Sequence, residues 1–115
     1  MDVNMSASMG VNAQTANPWR GEASITIANV PRLLRPSFSA LVAAEEELGP
    51  LFALVDRAAE GQLRIAELVG LFWHCLAQRE GLTREMVGDA VLEAGLAKTA
   101  APLRVLLQQI LQGAA

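Results

Sequence analysis

From Glu22 to Ile27 the chain alternates. Ala23, Ile25 and Ile27 fall on one side, and Glu22, Ser24 and Thr26 on the other. A period of two predicts a half-buried strand. Ala28 to Pro31 supplies a turn, with Asn29 suited to left-handed backbone. Arg32 to Arg35 then reads as a short return strand that Pro36 ends. A lone two-stranded hairpin is marginal in water, so this one must lean on helices or on a partner chain.

Beyond Pro36 the period lengthens to that of a helix. Ser37 is a suitable N-cap, and Phe38, Leu41, Val42 and Leu48 follow at helical spacing until Gly49 and Pro50 stop the run. Leu51, Phe52, Val55 and Ala59 form a short second helix ending at Gly61. A third begins near Ile65, carries Leu68, Val69, Phe72, Cys75 and Leu76, and stops around Glu80 and Gly81. Thr83 caps a fourth, whose apolar face is Met86, Val87, Ala90, Val91 and Ala94 and whose stop is Gly95. Thr99 caps a fifth, with Pro102 in its first turn. Its stripe of Leu103, Leu106, Leu107, Ile110 and Leu111 is the cleanest in the chain. The pattern predicts a mainly α protein with an N-terminal β-hairpin, a small α+β fold of about five short helices packed layer on layer. Residues 1–17, rich in Ser, Ala, Asn and Met with neither period, read as a disordered arm ahead of a domain over 18–113.

Composition narrows the picture. The chain has 115 residues, 52% of them hydrophobic but only 4% aromatic, so its one core must be built from Leu, Val, Ile and Ala. That favours packed helices over a β-sandwich. The net charge is −3 and the nine basic residues are scattered, so the electrostatic footprint of a nucleic-acid binder is missing. A single cysteine, Cys75, precludes an internal disulfide and fits a reducing cytoplasm. The N-terminus has no signal-peptide pattern, and no apolar run approaches the ~20 residues of a membrane span. The expectation is a cytoplasmic protein without nucleic-acid or membrane partners.

No residues in this pattern suggest catalysis. His74 is the only histidine, and its neighbour Cys75 points about 100° away on a helix. There is no second Cys or His to complete a zinc site, which needs about four ligands. Glu45, Glu46 and Glu47 diverge around a helix and read as a solvated face. Gly70 and Gly88 lie inside helices at ~1 kcal/mol each against Ala, which close helix packing would explain. We therefore expect no catalytic, cofactor or metal residues, and no enzyme activity. Protein contacts are the remaining chemistry. The residues suited to them are Trp19, Ile25, Ile27, Phe72, Trp73, Leu103, Leu106, Leu107 and Ile110. Either the fifth helix docks on the third within the domain, or part of the groove between them stays open with Ile25 and Ile27 along one wall.

The order and spacing of several pieces resemble a family of small tail proteins encoded in gene transfer agents and siphophage-like prophages of alphaproteobacteria. The pieces are Asn17 to Glu22 before the strand, and Leu34-Arg35 followed by Phe38 and a Glu-bearing helix ending in Leu48-Gly49. Then come Pro50 to Leu54, Glu67 to Leu76, Gly81 to Glu85 and Gly95-Leu96. The resemblance spans about Asn17 to Gly113. It implies a phage tail assembly chaperone, which binds the tape measure protein and helps recruit tail tube protein in the bacterial host's cytoplasm. The alternative is a structural tail component, a tail tube or connector subunit. One hairpin is little sheet for a tube wall, which favours the chaperone. The hairpin's edges suit pairing with further copies into a homo-oligomer.

Overall fold

The computed structural model describes residues 16–17 and 21–112. Strands β1 (Ala23–Ile27) and β2 (Val30–Leu34) pair antiparallel, in register from Ile27↔Val30 to Ala23↔Leu34. Two residues turn the chain, Ala28 and Asn29, both at positive φ (52° and 66°). This is the type I′ geometry whose twist matches a hairpin. The return strand therefore starts at Val30, two residues before the expected Arg32, and contains Pro31. Proline is tolerated there because the Ile27↔Val30 pair closes the turn, leaving the Pro31 nitrogen on the outer edge, where no ladder bond is needed.

That outer edge also decides where a helix ends. The Ala77 N–H donates to the Leu33 carbonyl at 3.0 Å, the Arg35 N–H donates to the Cys75 carbonyl at 2.6 Å, and Leu34 bridges Leu76. Helix α3 (Ile65–Cys75) consequently stops at Cys75, not near Glu80, because Leu76 turns extended to meet β2. One end of the outer edge of β2 is thus occupied and the other carries a proline, so this edge is not the open pairing surface expected of it.

The remaining helices are α1 (Phe38–Leu48), α2 (Leu51–Ala59), α4 (Arg84–Ala94) and α5 (Leu96–Gln112). Ser37 and Thr83 cap α1 and α4 as their chemistry predicts, accepting from the Ala40 and Met86 N–H groups, each at 3.2 Å. Thr99 does not cap α5. The helix begins at Leu96, and Thr99 is buried in its first turn, donating its hydroxyl to the Leu96 carbonyl at 3.0 Å. Pro102 accordingly lies inside the helix, beyond its first turn.

Helix α3 is central, packed between α1 and α4, while α5 lies across β1 and α4. The core joins Leu71, Phe72 and Cys75 of α3 to Ile27, Leu34, Leu54, Val87, Val91 and Leu106. Burying a side chain the size of Phe72 contributes roughly 2–3 kcal/mol. Gly70 is the close-packing position: a Cβ there would sit 3.3 Å from the Leu48 Cδ2 of α1. Gly88 is not, since a Cβ there would meet only Val69, at 3.9 Å. Glu22 departs from its expected outward setting. It is buried, with its carboxylate accepting from the Asn17 N–H (3.0 Å) and the Arg35 Nε (2.9 Å), so a paired charge stands where a buried one alone would be costly.

Candidate protein-docking groove

The residues singled out for partner contact separate into distinct settings. Ile25, Ile27, Phe72 and Leu106 are in the core, at 6%, 1%, 0% and 0% exposure, and offer no surface. Ile25 and Ile27 therefore do not line a groove wall. Trp73 is half-buried beneath two guanidinium groups, with Arg79 and Arg84 5.4 Å and 5.9 Å from the ring centroid, within cation–π range. Ile110 is half-buried. Trp19 lies outside the described residues. Leu103 and Leu107 face an open groove.

That groove separates α2 from α5. Val55, Ala58 and Ala59 form its α2 wall, and Ala100, Leu103, Leu107 and Leu111 its α5 wall, around a hollow of about 520 Å³. A second hollow of about 190 Å³ shares Ala58, Ala100 and Leu103 and extends it past Leu63, Ile65, Leu68 and Leu96. The cause is local. Three of the lining residues, Ala58 and Ala59 of α2 and Ala100 of α5, are alanines, too short to fill the space between the helix backbones. The leucines of α5 recur at 96, 103, 107 and 111, so one stripe runs nearly the length of the helix. Leu96 and Leu111, at its two ends, are 53% and 56% exposed. On α2, Phe52 stands one turn before Val55 on the same side and is 82% exposed. An amphipathic helix laid into such a groove would bury both walls.

Phe38 and Phe52 were not distinguishable from core residues by spacing. Phe38 is 85% exposed. The side of α1 that packs runs through Ala40, Leu41, Ala44 and Leu48, and only Ala44 is fully buried. The signal was the alanines. Small residues at 40 and 44 let α1 approach α3 closely, which turns the larger Phe38 and Val42 outward.

The charged residues mostly fasten elements together. Glu47 of α1 accepts both guanidinium N–H groups of Arg84 and lies 2.8 Å from the His74 Nε2. The hydrogen bonds from Arg84, then from His74, hold its carboxyl down to about 2. Glu67 accepts from Arg57 at 2.7 Å and from the Arg64 N–H at 3.0 Å, and is likewise held down to about 2, chiefly by Arg57. Glu45 accepts from the Leu51 N–H at 3.1 Å, satisfying the start of α2. The acidic run is thus more than a solvated face. Burial pushes the Cys75 thiol up to about 12, far from the thiolate that nucleophilic chemistry requires. Among the described residues no cluster of His, Cys, Asp and Glu could hold a metal ion, and no helix is long and apolar enough to cross a membrane.

A family model described as phage tail tube protein, GTA-gp10, matches residues 20–113. Neither the curated proteins nor the solved structures gave a match.

Proposed function

The chain belongs to the phage tail tube protein, GTA-gp10 family, and from that premise we propose that it is a non-enzymatic component of the tail that acts by docking amphipathic helices of other tail proteins. The observation that carries this reading is the groove between α2 and α5. Its lining is apolar over four leucine positions of α5, and its ends stay exposed. Exposed contiguous apolar surface of this kind marks an interaction site. The family description favours the structural role over the assembly chaperone. Other tail proteins are then the partners, and the host cytoplasm is the place where they meet.

One observation favours the chaperone as a second reading. Among the described residues the sheet has two strands, and one edge of it is closed by Pro31 and Leu76. A tube wall made from a closed sheet needs more strand than this. A chaperone needs only grooves, and its client would be the tape measure protein. Quantitative mass spectrometry of purified particles separates the two: stoichiometric presence supports the structural component, and near absence the chaperone. The groove itself is tested by Leu107→Asp. This variant should fold and lose co-purification with the other tail proteins. Undiminished capture would overturn the docking role.

A further inference from the structure

Helix α1 carries an apolar ridge that no other described residue covers. Phe38 and Val42, one turn apart, are 85% and 39% exposed on the side away from α3. Glu46 follows one turn later on the same side. The groove between α2 and α5 presents the complement. Among the described residues, the charged side chains lining its two hollows are Arg64 and Arg104, and no carboxylate lines either. The groove therefore selects an apolar ridge accompanied by negative charge.

We propose that the groove of one copy receives the Phe38–Val42 ridge of a second copy, with Glu46 set against the basic rim at Arg104. This rests on the reading of the groove as a docking site, and it puts a second copy of this chain where that reading puts another tail protein. Apolar anchors at i and i+4 are how a helix seats in a groove. Opposite charges at the rim fix its direction and reject like-charged competitors. The two surfaces differ, so the contact is heterologous. Each docked pair keeps one free ridge and one free groove, and association continues into a ring or an open stack.

Sedimentation velocity of the full chain tests this. The wild type should associate as concentration rises. Phe38→Glu and Arg104→Glu, both at exposed positions, should each weaken association about tenfold or more while thermal melts stay unchanged. Mixing is the sharper arm. Phe38→Glu keeps its groove and Leu107→Asp keeps its ridge, so each alone should be monomeric, and together they should form a one-to-one dimer. A wild type that stays monomeric up to about 1 mM, the range of weak contacts, overturns the proposal. So does a Phe38→Glu variant that associates like wild type, or a mixture that does not pair. If Leu107→Asp loses the other tail proteins while the wild type is monomeric, the docking role stands and the second copy is excluded as occupant.

Discussion

Leu106 and Leu107 are adjacent on α5, yet Leu106 has no exposed surface and Leu107 lines the wall of the groove. One residue of helix rotation separates the core from the groove. Leu106→Asp places a charge in the core and should cost about 4 kcal/mol or more, a large share of the stability of a domain this size. Leu107→Asp faces open space and should cost under about 1.5 kcal/mol. Circular-dichroism melts check both, and equal loss of structure in the two variants would contradict the placement of α5.

The two helical glycines should respond oppositely to alanine. Gly88 has room for a Cβ, so Gly88→Ala should stabilise the fold by about 0.5–1 kcal/mol through helix propensity and a less flexible unfolded chain. Gly70→Ala gains the same propensity but presses on Leu48 across the α1–α3 contact. Its net effect should be zero to about 1 kcal/mol destabilising. Denaturant titration of the pair measures the difference.

Acid should weaken the fold in a defined window. Glu47 and Glu67 both ionise in the folded chain at about 2, below their ordinary value of 4.5. The stability they add is fully present above 4.5 and is lost as pH falls from there towards 2. Glu47 is 38% exposed, so solvent screening limits its share to at most about 1 kcal/mol. Glu47→Gln should lower stability slightly at neutral pH and flatten the acid limb. An unchanged acid limb would mean that Arg84 and His74 do not hold the carboxylate in solution.

Cys75 should be silent in the native state. Its thiol is 1% exposed and pushed up to about 12 by burial. A chromogenic disulfide reagent should label it only on the timescale of unfolding, and promptly in denaturant. Fast native labelling would place Cys75 at the surface. Cys75→Ala should leave binding intact and lower stability by about 1 kcal/mol, the loss of a small buried group.

The elements themselves were legible in the sequence because their signals are local. The alternation of Ala23, Ile25 and Ile27 marks β1, Ser37 and Thr83 start helices, and Gly49 and Gly95 end them with positive φ, both at 90°. Each needs only a few neighbouring residues to act. Which apolar residues face inward was not local. Phe38 and Leu41 share a helical period, but the closeness of α1 to α3, permitted by Ala44 and Gly70, buries one side of α1 and leaves Phe38 in solvent. The end of α3 likewise depends on β2, which draws Leu76 out of the helix through backbone bonds between residues far apart in sequence. The leucine stripe of α5 was plain from its spacing. Its division into a buried edge at Leu106 and a groove edge at Leu103 and Leu107 was set by docking on β1 and α4 instead of α3. A period identifies an apolar face, and only the neighbours that reach it determine how much of that face remains for a partner.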